Sequence, residues 1–238
     1  MNMMNKLYQK SELWFSLTWI LIYIIGTSIT DSLSKSVTLI LHLLLTALAL
    51  FWVCKNGLRR KYGLCKPSVP AKRVLYYIPL LIAVSCNLWF GVKMNMSIAE
   101  TAAYVGSMLC VGFLEEFIFR GLLFRAMEKD SLKAAVIVTS LTFGIGHIIN
   151  LFNGSGMDLV ANMGQVVSAV AFGFLFVILF LKTDSLLPCI VAHSAINALS
   201  AFAVTPSTLW DILTALILTV IATAYALYLQ KSAKINPQ

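Results

Sequence analysis

Apolar residues run in long, nearly unbroken stretches along this chain, and polar residues gather in short intervals between them. A helix needs about 20 apolar residues to cross a bilayer core. Eight stretches approach or exceed that length, at roughly 13–30, 37–54, 74–92, 99–127, 132–150, 164–181, 186–204 and 208–229. The pattern predicts an all-α polytopic membrane protein with about eight transmembrane helices in one transmembrane domain over 1–238. The sixth stretch has the least distinct start, because Asn162, Gly164 and Gln165 interrupt it. Pro79 lies inside the third and should kink it, whereas Pro188 falls in the first turn of the seventh, where a missing N–H costs little.

Composition supports this reading. The chain is 59% hydrophobic and 12% charged, whereas a soluble domain is about half apolar and a quarter charged. Lipid therefore takes the place of a single buried core. The net charge of +8 would point to nucleic acid only if the basic residues formed a soluble face. They sit between apolar stretches instead, so no nucleic-acid partner is expected and the lipid bilayer is. Cytoplasmic loops collect Lys and Arg. With the N-terminus inside and eight spans threaded, the inner side holds Lys6, Lys10, Lys55, Arg59, Arg60, Lys61, Lys66, Lys72, Arg73, Arg125, Lys129, Lys133, Lys182, Lys231 and Lys234. The outer side holds Lys35 and Lys93. Both termini are thus expected to be cytoplasmic. Lys6 and Lys10 precede an apolar run as in a signal peptide, but no small-x-small cleavage site follows, which predicts a retained first helix. The five cysteines show no paired spacing. The interval 150–165, containing Asn153-Gly154-Ser155-Gly156, reads as a flexible turn or a lid over an entrance.

Three ionised side chains inside the fourth stretch do not fit a purely structural span: Glu115, Glu116 and Arg120. A charge at the bilayer centre costs about 2.5–3.5 kcal/mol on insertion scales, and such groups are functional by default. Glu116 and Arg120 are four apart, with the Glu nearer the helix N-terminus, the favourable order for an ion pair. Glu115 lies about 100° around the helix from that pair and is left free for chemistry. Two histidines stand in later spans, His147 in the fifth and His193 in the seventh, and Asn197 shares the face of His193. The third, His42, has no acid or amide at helical spacing and reads as structural. If the fifth span folds back on a tight turn near 130–132, His147 comes level with Glu115 and Glu116. The seventh then brings His193 and Asn197 about 10–17 Å into the membrane at 1.5 Å per residue. The small residues Gly112, Gly121, Gly144, Gly146, Ser194 and Ala195 flank the set, as close helix approach requires. One polar cavity can collect Glu115, Glu116, Arg120, His147, His193 and Asn197.

A Glu and a His around one water can deprotonate it for attack on a carbonyl. A His and an Asn on one face can stabilise the oxyanion that forms. Two His and one Glu can instead hold zinc with an open fourth position. The chain contains neither HExxH nor G-x-S-x-G, so these residues point to hydrolysis by activated water. A transporter using the glutamate pair would call for paired repeats or broken helices, and no such symmetry is evident in the sequence.

Glu115-Glu116-Phe117-Ile118-Phe119-Arg120, Phe143 to His147, and His193 to Asn197 resemble, in order, the EExxxR, FxxxH and HxxxN/D motifs of the CAAX protease and bacteriocin-processing family (CPBP, or Abi), relatives of the type 2 CAAX prenyl endopeptidase. The resemblance covers about 115–197. It implies an eight-helix membrane fold whose catalytic core helices lie at 99–204, an intramembrane (metallo)endopeptidase activity, and a membrane-embedded or lipid-anchored protein or peptide substrate. By that likeness Glu115 activates water with His147, Glu116 and Arg120 hold the site in shape, and His193 and Asn197 form or assist the oxyanion hole. The resemblance leaves open one divalent ion such as zinc, held by Glu115, His147 and His193, or a metal-free mechanism. It also includes immunity proteins, so a non-catalytic immunity or scaffold protein of the same fold is the alternative. The short chain is expected in a bacterial plasma membrane.

Overall fold

The computed structural model describes residues 2–69, 74–152, 157–205 and 207–232. Lys72, Arg73, Lys234 and the glycine-bearing part of the expected lid, 153–156, lie outside them.

The described chain is helical, without a strand. In order it forms α1 (Asn2–Lys10), α2 (Glu12–Asp31), α3 (Lys35–Lys55) and α4 (Val74–Val84), the last running into a 3-10 turn, Ser85–Leu88. Next come α5 (Ile98–Glu116), a π-helical segment (Phe117–Leu123) and α6 (Phe124–Met127), which together make one continuous span. The remainder is α7 (Leu132–Gly146) with a 3-10 turn His147–Leu151, α8 (Leu159–Thr183), α9 (Leu187–Leu199) with a 3-10 turn Ser200–Phe202, and α10 (Thr208–Lys231). The starts follow local chemistry. Ser11, Ser34, Ser131 and Asp158 cap α2, α3, α7 and α8 by accepting the backbone N–H of Trp14, Val37, Ala134 and Ala161. Ser97 and Glu100 close a reciprocal capping box on α5.

Six helical runs among the described residues are long and apolar enough to cross a bilayer: α2, α3, Ile98–Met127, Leu132–Leu151, α8 and α10. The third and seventh predicted spans are shorter, with apolar helices at Tyr77–Leu88 and Leu187–Phe202. Both end in 3-10 turns because polar groups there take up backbone partners. Asn87 donates to the Ile196 carbonyl, and Asn95 to those of Ala201 and Ala203. An isolated bridge joins Val92 to Ala203, next to Gly91 at a φ of +107°, which favours glycine. Pro79 lies inside α4, and Pro188 sits at the start of α9.

Two elements depart from the hydrophobic pattern. α1 was not anticipated as a separate helix. Its Met4, Leu7 and Tyr8 pack on the core while Lys6 and Lys10 are exposed, so it is an amphipathic helix beside the first span. α8 begins at Leu159 rather than near 164. Its Asn162 is fully buried and donates to the His147 carbonyl, and Gln165 accepts from Asn150. These polar residues belong to the helix because they have partners in the adjoining turn.

The ends of the helices sort into two groups. Glu12 accepts from both Lys61 and Lys129 at 2.7 Å. Ser68 N–H donates to Thr183, Leu186 N–H to Gly63, and Lys182 to the Ser232 carbonyl. The basic segments assigned to the inner side therefore gather at one end of the bundle, and the Val92–Ala203 bridge lies among the segments assigned to the other.

Inside the bundle, the α5 run is central. Leu114, Phe117 and Ile118 are fully buried and belong to one core cluster with Trp19, Trp52 and Tyr62. In lipid, close packing of small residues takes over from the hydrophobic effect in holding helices together. Gly112 shows this, since a Cβ there would run into the backbone of Ser194. α5 and α9 therefore meet backbone to backbone one residue from His193. Gly144 lies in the same way against the backbone of Val170, joining α7 to α8. Gly121 faces Phe117 of its own run and the Leu186 side chain just before α9, whereas Gly146 meets open space.

Candidate active site

The span carrying the two glutamates is not uniformly α-helical. After Glu116 it becomes π-helical, and the N–H of Phe124 donates to Phe119, five residues back. Such turns widen a helix locally and shift the phase of its side chains. Glu116 and Arg120 are both completely buried. Arg120 Nη1 donates to Glu116 Oε1 at 3.2 Å, as the four-residue spacing predicts. The guanidinium lies 3.9 Å from the centre of the Phe143 ring and 5.7 Å from that of Phe176. Its cation is thus matched by a carboxylate on one side and by aromatic faces on the other.

Glu116 Oε1 has a second donor, His193 Nδ1, at 2.8 Å. One carboxylate oxygen thereby links Arg120 on its own helix to His193 on α9. Because a carboxylate only accepts, the Nδ1 proton is fixed and Nε2 is turned to the other side of the ring. There, His193 Nε2 lies 3.6 Å from Glu115 Oε2. The other oxygen of Glu115, Oε1, accepts the phenolic proton of Tyr23 at 2.7 Å. Adjacent carboxylates therefore differ in kind: Glu116 is paired with a cation, and Glu115 is held by a neutral hydroxyl.

His147 is reached through Phe143. It caps α7, and its Nδ1 donates to the Phe143 carbonyl at 3.0 Å. A carbonyl can only accept, so the Nε2 lone pair is left free. The Phe143 ring centre is 5.1 Å from that of His147 and 5.7 Å from that of His193. One aromatic side chain thus touches Arg120 and both histidines. Asn162 holds the carbonyl of His147 at 2.9 Å and fixes the residue from behind.

Of the six residues singled out by sequence, Arg120, Glu116, His193 and Glu115 are linked in that order by successive contacts, and His147 joins them across Phe143. Asn197 follows one turn after His193 and is half-buried, and no side-chain hydrogen bond of its own is seen among the described residues. Sequence reasoning missed Tyr23 and Asn162. Tyr23 lies on the buried stripe Phe15, Trp19, Tyr23 of α2, so its helix face was readable but its partner was not. His42, read from the sequence as structural, lies apart from this cluster. It is fully buried, and its partners Thr27 and Ser107 come from other helices.

Among the described residues no three His, Cys, Asp or Glu side chains are gathered so as to hold an ion.

A bundle of apolar helices with a glutamate–arginine–histidine cluster at its heart defines an integral membrane protein with a buried polar site. Residues 97–199 match the family model described as type II CAAX prenyl endopeptidase Rce1-like, and that stretch, which contains all three motifs, is similar to that family. No curated protein and no solved structure matches the chain.

Proposed function

We propose that this protein is an intramembrane endopeptidase that cleaves a membrane-embedded or lipid-anchored peptide with a water activated by Glu115 and His147. The observation that carries the reading is the unequal pairing of adjacent glutamates. Glu116 is neutralised by Arg120 and bound to His193, while Glu115 keeps Oε2 free beside His193 Nε2. A carboxylate without a cation, in a site short of water, is a competent base.

The water lies between Glu115 and the free Nε2 of His147. Glu115 takes one of its protons as the oxygen attacks the substrate carbonyl carbon. The carbonyl oxygen becomes an oxyanion. His193, held by its Nδ1–H bond to Glu116, and Asn197 from the same helix are the groups assigned to that oxyanion. Collapse of the tetrahedral intermediate breaks the C–N bond. The proton held by Glu115 passes to the leaving amine, and the second proton of the water, left on the new carboxyl group, follows it, giving a carboxylate and an ammonium. The role of Glu116 and Arg120 is to hold His193 in place. The family match favours a membrane-associated peptide as substrate. The basic loops orient both termini towards the cytoplasm, in a bacterial plasma membrane.

The test is incubation of the purified protein in liposomes with a lipid-anchored peptide, followed by mass spectrometry of the products. Two fragments differing from the parent by one water are expected. Binding without cleavage would instead support a scaffold or immunity role.

A further inference from the structure

Tyr23 lies on α2, far outside the matched stretch 97–199, yet it touches the carboxylate on which the proposed chemistry depends. Its side chain is buried, and its hydroxyl donates to Glu115 Oε1 at 2.7 Å. A buried phenol needs a partner, and a charge-assisted hydrogen bond to a carboxylate is among the stronger ones. The ring is also held. Its centre lies 5.8 Å from the His42 ring, and His42 is hydrogen-bonded to Thr27 on α2 and to Ser107 on α5. α2 is therefore joined to α5 twice, directly at Glu115 and through His42 two turns earlier on α5. The hydroxyl is delivered from a rigid frame.

We infer that Tyr23 is a positioning residue for Glu115. It fixes Oε1 and so leaves Oε2 as the oxygen that faces His193 and the reacting water. This rests on the assignment of Glu115 as the base. A glutamate side chain has several rotatable bonds, and Glu115, with no cation on it, would otherwise turn among rotamers. On this account the first long helix is part of the catalytic apparatus, and the matched stretch alone lacks the group that orients its own base.

Tyr23→Phe keeps the ring against His42 and removes only the hydroxyl. With a lipid-anchored peptide in liposomes, kcat is expected to fall roughly 10- to 100-fold, as for a misplaced catalytic group. KM and the thermal midpoint should stay at wild-type values. Thr18→Val, on the same helix with its hydroxyl bonded to the Trp14 carbonyl, should leave kcat unchanged. Unaltered kcat in Tyr23→Phe, or an equal fall in Thr18→Val, overturns the inference. If Glu115→Gln cleaves at the wild-type rate, the assignment of Glu115 fails instead. A readout independent of turnover is infrared difference spectroscopy. The carboxylate band found by subtracting Glu115→Gln from wild type should shift when the same subtraction is made in the Tyr23→Phe background. An unshifted band overturns the inference whatever the activity.

Discussion

Glu115→Gln is expected to lower the peptide-cleavage rate by about 10²–10⁴-fold, the usual contribution of a positioned general base. Glutamine has the size of glutamate, and its amide oxygen can still accept the Tyr23 hydroxyl, so the packing around α2 and α5 is retained. What it loses is the ability to take a proton. Glu115 balances no cation in a close pair, because Arg120 and His193 Nδ1 both bind Glu116. The thermal midpoint in detergent should therefore move little. Cleavage in liposomes and thermal unfolding, measured on the same preparation, check both halves. A large loss of stability with Glu115→Gln would mean that this residue holds helices together.

Arg120→Ala is expected to produce the opposite profile, with a loss of about 3–5 kcal/mol of stability, the range for breaking a buried ion pair from one side. The guanidinium is completely buried, and it is the cation paired to Glu116 on the same helix. Its removal leaves that carboxylate charged in a medium with little water and vacates the space against Phe143 and Phe176. Arg120→Lys keeps the charge but not the planar stack on Phe143, so an intermediate loss is expected. Thermal unfolding in detergent gives the order wild type, Lys, Ala. Equal stability of all three would show that the pair is dispensable to the fold.

The interactions that were legible in the sequence are the local ones. The Glu116–Arg120 pair is set by four-residue spacing within one helix. The apolar stretches themselves were readable because their length is set by the bilayer. The missing parts depend on partners distant in the chain or on elements below the scale of the pattern. Tyr23 meets Glu115 across 92 residues, and nothing in α2 names its partner. Asn162 looked like a break in a span, yet it is helical because the His147 carbonyl accepts its amide. α1 has nine residues, too few to stand out against spans of twenty. The π-helical widening after Glu116 leaves no signature in residue type. The shortened third and seventh spans arose from Asn87 and Asn95, whose backbone partners lie on α9 and the turn after it.

Three helices are held to build one hydrolytic site, in which Glu115 and His147 act on the same water. The most direct measurement is a double-mutant cycle on the cleavage rate of a lipid-anchored peptide in liposomes, using Glu115→Gln, His147→Ala and the two combined. Groups that act as a unit are strongly non-additive. The account predicts cleavage by the wild type, a large loss in each single variant, and little further loss in the double. Losses that multiply independently, or a wild type that cleaves no faster than Glu115→Gln, would contradict it.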